Sequence, residues 1–395
     1  MKILTVSTLF PYENNPKHGI FIETRLRHLR EHYPDVEAKV IAPIPYFPSS
    51  HPVFGSYAEN AKAPHYEKRH DIDVFHPRYL VVPKIGMTLT PETLANSIYK
   101  QALQMIADGY DFDLIDGHYF YPDGVAIAKV ARKLNKPFTV TARGTDINLI
   151  PKFVKPKKQI QQVLKQSDHN MAVCEALRKE MITLGAEPNK VTTLRNGVDL
   201  DLFSFIDEQK KQVLKDKFNL PKETPVIISV GHLIERKGHH LVIEALKQVP
   251  NTLLLIAGDG PEKKSLQRLT DRIGVKDRVR FLGSLSQIEL SQYYGASDLL
   301  VLASSREGWA NVLLEAMACG TPVVATNIWG TPEVVTTKEA GQLVERDSSN
   351  IAAGVLSVLN NLPERQKTRH YAENFDWLST STKQYELFNK IIKGQ

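Results

Sequence analysis

REGWANVLLEAMACGTPVVATNIWG, residues 306–330, places two carboxylates and a run of backbone amides at one strand-to-helix junction. Just upstream, DLLVLA (298–303) is a short apolar run of the kind that forms a strand buried on both faces, and Ser304 and Ser305 end it in a loop. Leu313, Leu314, Ala316, Met317 and Ala318 then read as a helix, stopped by Gly320 and Pro322 before a next strand from Val323 to Ala325. Together these make half of a nucleotide-binding α/β unit.

Glu307 falls in the loop before that helix and Glu315 inside it, so both are placed to reach the crevice outside the strand ends, where open α/β sheets bind ligands. Amides near Trp309, Ala310 and Asn311, with Gly308 and Val312 flanking them, fall at the helix start, where unpaired N–H groups and the helix dipole favour an anion such as a pyrophosphate. A carboxylate only accepts hydrogen bonds and can take two from neighbouring hydroxyls, so a sugar and a ribose are natural targets for the two acids. The spacing alone fits equally well a solvated loop acid followed by a helix-surface acid.

The chain has 395 residues, enough for two domains with separate cores, and its composition is that of a water-soluble globular protein. No stretch reaches the roughly 18 to 20 apolar residues that a membrane span needs. The opening MKILTVS reads as a first strand and not a signal peptide. Two cysteines in apolar contexts, Cys174 and Cys319, point to buried thiols in a reducing compartment and away from a disulfide framework or a zinc site. The expectation is a cytoplasmic protein. Its formal charge of +6 comes largely from the region around Lys152, Lys155, Lys157 and Lys158. Such a cluster is either a solvated face or a peripheral contact with anionic lipid on the inner face of a membrane or with a polyanionic acceptor. No nucleic-acid-binding motif accompanies it.

Strand and helix signals alternate through the first half. Ile3 to Thr8 reads as a strand, followed by a loop through Gly19 and a helix from about Phe21 to Glu31. The aromatic, proline-rich stretch 43–57 reads as a long loop, either a contact for an acceptor or plain surface. Two later strands end in His118 and in the run Arg143, Gly144, Thr145, Asp146, which puts polar residues at the ligand edge of a sheet. In the second half, a strand from Pro225 to Val230 leads into Gly231 and the neighbouring cations Arg236 and Lys237. Such a pair suits a pyrophosphate, since arginine forks onto two oxygens and lysine acts as a point charge.

The SREGxxxVLLEAMACGTPVVAT pattern, with its two glutamates separated by seven residues, resembles the signature of family 4 retaining glycosyltransferases. The resemblance implies the GT-B fold, two facing Rossmann-like doubly wound domains with parallel sheets and a central cleft. It also implies transfer of a sugar from a nucleoside diphosphate donor to a glycan, lipid-linked or small-molecule acceptor, without cofactor or required metal. The domains expected are 1–199 on the acceptor side and 200–376 on the donor side, with a helix from about 377 to 395 returning to the first. By the same resemblance Glu307 meets the donor sugar, Glu315 the ribose, Arg236 and Lys237 the diphosphate, and the backbone by Leu282 the nucleobase. Gly231 and residues 308–312 complete the donor site, while Gly19 and Asp146 fall on the acceptor side. His118 and Arg143 follow strands at the substrate edge: Arg143, standing where the family usually carries a histidine, is expected to bond the donor sugar or an anionic acceptor, and His118 is either an acceptor contact or a satisfied structural histidine. An epimerase acting on nucleotide sugars and a non-catalytic nucleotide-sugar-binding protein are the alternatives on the same fold. Donor turnover with and without an acceptor separates them.

Overall fold

A computed structural model describes residues 1–51, 53, 55–81 and 89–394 of the chain. Its contacts divide it into two units, one formed by Met1–Asn196 with Trp377–Gln395 and the other by Gly197–Asp376.

The first unit contains strands β1 (Lys2–Val6), β2 (Glu37–Ile41), β3 (Ile44–Pro45), β4 (Tyr66–Arg69) and β5 (Ile72–Phe75). It continues with β6 (Arg78–Tyr79), β7 (Leu114–His118), β8 (Phe138–Ala142), β9 (His169–Ala172) and β10 (Val191–Thr193). Eight of them form one sheet in the order β10-β9-β8-β7-β1-β2-β5-β4, parallel throughout except where β4 runs antiparallel to β5. The central strands β7 and β8 are buried along their whole length, as helices on both faces of a parallel sheet require. The stretch 43–57 is more ordered than a plain loop: β3 pairs with β6, and a helix begins at Ser56. Two-residue strands carry no periodicity, so composition alone reads such a segment as loop. Pro52 and Phe54 of that stretch lie outside the described residues.

The helix Trp377–Ile392 packs in this unit against the helix Ile20–His32. Trp377 stacks on His28 with centroids 5.3 Å apart and Tyr385 stacks on Tyr33 at 4.0 Å. Phe388 joins Ile3, Leu29 and Leu114 in the core.

The second unit contains β11 (Val226–Val230), β12 (Leu253–Ala257), β13 (Val279–Gly283), β14 (Leu299–Leu302), β15 (Val323–Thr326) and β16 (Gly341–Val344). Its sheet is parallel throughout, in the order β13-β12-β11-β14-β15-β16. This doubly wound order reverses between β11 and β14, and a ligand crevice opens at such a switch point, outside the carboxyl ends of the strands. Helix starts are marked by local chemistry. Ser286 and Glu289 form a capping box before the helix Gln287–Ala296, and Asp207 caps Glu208–Lys217.

Candidate active site

The switch point gathers most of the expected donor-site residues. The loop after β11 runs from Gly231 to Gly238, and the loop after β14 runs from Ala303 to Ala310. They touch closely. Gly238, at φ 70°, caps the helix His239–Ala245, and any Cβ there would run into the Ala303 carbonyl. The Ser305 amide donates to the Arg236 carbonyl at 2.8 Å, and the Arg236 guanidinium donates to the Arg306 carbonyl at 2.6 Å. Gly231 leaves room for the Lys237 stem, whose Cδ lies 3.3 Å from where a Cβ would stand.

This frame brings Lys237 Nζ to 2.5 Å from Glu307 Oε1, and Ser304 Oγ donates to the same oxygen at 2.6 Å. Glu307 Oε2 lies 3.8 Å from Arg236. Burial alone would raise the Glu307 carboxyl, but Lys237, Ser304 and Arg236 outweigh it and hold it below the usual glutamate range. Glu307 is therefore an anion at neutral pH. Directly after it come Gly308, Trp309 and Ala310, then the helix Asn311–Ala318, opening with Asn311 and Val312. Its N-cap residue, Ala310, has no side chain that can cap the first turn.

Glu315 lies inside that helix and takes a hydrogen bond from the Tyr294 hydroxyl at 3.0 Å on Oε2. Burial pushes its carboxyl up to about 7, and the Tyr294 hydrogen bond acts in the opposite direction. The two glutamates thus differ in kind, one fixed as an anion by cations and the other titrating near neutrality. Leu282 sits near the end of the edge strand β13, two strands away from β11. The Gly283 carbonyl there accepts from the Gly258 amide at 2.7 Å.

In the first unit the expected residues fall at the strand ends, but their side chains turn inward. His118, 2% exposed, accepts at Nδ1 from Arg143 at 2.8 Å and lies 3.3 Å through Nε2 from Asp116. An imidazole that accepts at Nδ1 and donates from Nε2 is neutral, and burial pushes its pKa down to about 4. Arg143 gives its other terminal nitrogen to Asn196 at 3.2 Å and stacks over Phe21. The imidazole of His118 is thus held between the Arg143 guanidinium and the buried carboxylate of Asp116. Asp146 accepts from the amides of Phe120, Gly144 and Arg143 at 2.9, 2.8 and 3.1 Å, so its side chain ties two loops together. Gly19, at φ 66°, starts the helix Ile20–His32, where a Cβ would run into the Leu9 carbonyl.

Several contributors have no sequence signature. Ser304 is the easiest to have found, three residues before Glu307 in the same loop. Tyr294 is on another helix, and Asp116 and Gln384 are far apart in the chain. Asp123 accepts from the Thr8 amide at 2.7 Å and the Thr8 hydroxyl at 3.0 Å, joining the loops after β1 and β7.

Comparison with known proteins bears on the family and the fold. Residues 210–375 match the family model for glycosyl transferases group 1, and residues 53–202 match that for glycosyltransferase family 4. TuaC of Bacillus subtilis, a glycosyltransferase named for teichuronic acid biosynthesis, is 29% identical over 336 residues, 84% of this chain and 82% of its own. The D-inositol 3-phosphate glycosyltransferase of Jonesia denitrificans is 30% identical over 305 residues, 71% of this chain and 72% of its own. Among solved structures, Anabaena Alr3699/HepE in complex with UDP superposes with a TM-score of 0.76 at 22% identity, covering 99% of this chain and 100% of that one. The alternating strands, the paired glutamates at the switch point and these matches agree: the chain is a glycosyltransferase of the GT-B fold and belongs to glycosyltransferase family 4.

Proposed function

We propose that the protein transfers a hexose-type sugar from a nucleoside diphosphate donor to a glycan, lipid-linked or small-molecule acceptor, with retention at the anomeric carbon and no metal. The observation that carries this reading is the meeting of Lys237, Arg236 and Glu307 on the two loops at the β11/β14 switch point, directly before the start of the helix Asn311–Ala318. Cations and amides there suit the diphosphate, and a fixed carboxylate suits sugar hydroxyls. In the step itself, the acceptor oxygen bonds to the anomeric carbon on the face from which the diphosphate leaves. The acceptor proton passes to the departing phosphate oxygen. Arg236, Lys237 and the amides near Trp309 stabilise the negative charge that grows on that group, which is the work a divalent metal does elsewhere.

The test is a panel of UDP-, GDP- and ADP-hexoses, followed by chromatography with and without sugar and lipid-linked acceptors. Nucleoside diphosphate release that rises on adding an acceptor supports transfer. Donor binding without turnover, or epimerised donor as product, rejects it.

The acceptor side carries a second part of the proposal. No described helix is long and apolar enough to cross a membrane. Yet Phe153 and Val154 are 49% and 71% exposed, amid Lys152, Lys155, Lys157 and Lys158. Apolar side chains set among lysines fit an anionic bilayer, where each lysine contributes up to about 1 kcal/mol near the surface. Sedimentation with phosphatidylglycerol vesicles should therefore show binding that weakens with salt. Replacing the four lysines with glutamine should lower the partition by about 30- to 1,000-fold, or about 2 to 4 kcal/mol. Equal partition of variant and wild type would reject membrane contact at this patch.

A further inference from the structure

We infer that Tyr294 is a positioning residue for nucleotide binding: its hydroxyl holds one oxygen of Glu315, so that the carboxylate presents its other oxygen, in ionised form, to the ribose hydroxyls. The inference rests on the reading of Glu315 as the ribose acceptor and adds how this chain keeps that acceptor usable.

Tyr294 is fully buried, and its hydroxyl donates to Glu315 Oε2 at 3.0 Å. A buried phenol needs a partner for its O–H, and this partner sits on another helix, so the bond fixes Glu315 relative to the helix Gln287–Ala296. The phenol end of that arrangement is anchored in turn. The Tyr294 carbonyl accepts from Thr321 Oγ1 at 2.7 Å. Buried Arg365 donates to the Gly295 carbonyl at 3.0 Å and the Cys319 carbonyl at 2.9 Å, binding together the ends of both helices. Thr321 and Arg365 thereby tie the end of the helix that carries Tyr294 to the end of the helix that carries Glu315.

The surroundings of Glu315 give the hydroxyl its leverage. The helix Asn311–Ala318 packs against the helices Gln287–Ala296 and Arg365–Ala372 and against β14 and β15. Tyr294 comes from the first of these helices, and β14 and β15 carry no titratable side chain. Arg365 and Arg369 from the second donate to main-chain carbonyls, including those of Cys319 and Ala318. Cys319, just past the helix end, is a neutral thiol that burial pushes up to about 12. No ion pair to Glu315 occurs among the described residues, so the carboxylate has the Tyr294 hydroxyl to favour its charge against burial. Loss of that hydroxyl must drive Glu315 toward the protonated acid, whose O–H no longer accepts from a ribose as a carboxylate does.

The test uses the full chain and calorimetric titration with UDP, GDP and ADP, carrying forward the tightest together with its 2′,3′-dideoxy counterpart. Near neutral pH, Tyr294→Phe should bind the ribonucleotide about tenfold more weakly, the scale of one hydrogen bond to a charged group. The deficit should shrink toward about threefold or less at about pH 9, because Glu315 then ionises without help. On a Glu315→Gln background the same substitution should change affinity by less than about twofold, because the coupled partner is gone. The wild-type protein supplies a reading that needs no variant: nucleotide binding near pH 7 should release protons, seen as a calorimetric heat that varies with buffer ionisation. Equal loss of affinity at every pH, or the same loss on both backgrounds, would overturn the role of Tyr294 and leave Glu315 at the ribose. Indifference of wild type and Glu315→Gln alike to removal of the ribose hydroxyls would overturn the ribose reading and this inference with it.

Discussion

Replacing Glu307 by glutamine is expected to lower donor turnover by about 100- to 1,000-fold, the scale of one lost preorganised charged contact in a closed site. The same substitution should leave affinity for the free nucleoside diphosphate unchanged or raise it by up to about tenfold. The opposite signs follow from the resting geometry. Lys237 Nζ is held at 2.5 Å by the very carboxylate that is to meet the donor sugar, and that carboxylate also repels an incoming diphosphate. Binding the diphosphate must draw Lys237 away from Glu307 or share it. Removing the negative charge frees the lysine for the anion but leaves the sugar without its acceptor. Lys237→Ala should do the reverse, weakening the diphosphate at least about tenfold while leaving the nucleoside unaffected. Calorimetry with both ligands, together with chromatographic donor turnover, reads the pair. Turnover by Glu307→Gln within threefold of wild type would remove Glu307 from the reaction. A large loss of diphosphate affinity in that variant would mean that the carboxylate only props up Lys237. Because Glu307 lies below the usual glutamate range it stays ionised between about pH 6 and 8, whereas Glu315, which titrates near 7, should make donor affinity rise with pH over that interval.

What could be read from the sequence, and what could not, divides along a physical line. Strands such as 226–230 and 299–302 announce themselves because helices cover both faces and every position is apolar or small. The contact of Lys237 with Glu307 was within reach because each follows its strand by a few residues, and parallel neighbours bring such loops together. Direction is harder. His118 and Arg143 are at the strand ends that their spacing implied, but a strand end does not say which way a side chain turns. Here Asp146 draws in the amides of Arg143 and Gly144 and tightens the turn, Asp116 supplies a buried charge for the imidazole, and the guanidinium turns to the far side of that imidazole and to Asn196. Tyr294 was invisible for a related reason. A tyrosine in a helix is most often core, and only the packing of two helices reveals that its hydroxyl meets Glu315.

The cluster around Asp116 leads to the second large effect. Its carboxylate lies 3.3 Å from His118 Nε2 and accepts from Thr139 at 3.3 Å and from Gln384 at 3.4 Å, while buried Arg25 and half-buried Arg143 provide positive charge nearby. Arg25 donates to Gln384 at 2.7 Å and to the Leu194 carbonyl at 3.2 Å, so the acid is the counter-charge that lets the helices Ile20–His32 and Trp377–Ile392 close over β7. Asp116→Asn keeps the shape and removes the charge, leaving buried Arg25 without its counter-charge, and should cost the first unit about 3 kcal/mol or more. Amide hydrogen exchange should show lost protection in β7 and β8, with β11 and β12 of the second unit as an internal control. The pH dependence has a definite sign. Burial would raise Asp116, but His118 and the two arginines hold it below its ordinary value, so its contribution is present above about pH 4 and is lost as pH falls through the folded value. His118, pushed down to about 4 from an ordinary value near 6.5, binds fewer protons folded than unfolded across that interval, so its contribution falls as pH drops from about 6.5 to 4. Asp123, raised by burial to about 7, works in the opposite direction, and so does Asp146, so the comparison must be between variants. His118→Gln offers Arg143 an amide oxygen and Asp116 an N–H without a titrating ring. It should match wild type near pH 7 and lose less protection by about pH 4.5, with a slope difference of up to about 1.4 kcal/mol per pH unit. Equal acid sensitivity in the two proteins would mean that the buried imidazole is not the neutral bridge between Arg143 and Asp116. Full protection of β7 in Asp116→Asn would mean that the arginines hold the helices without it.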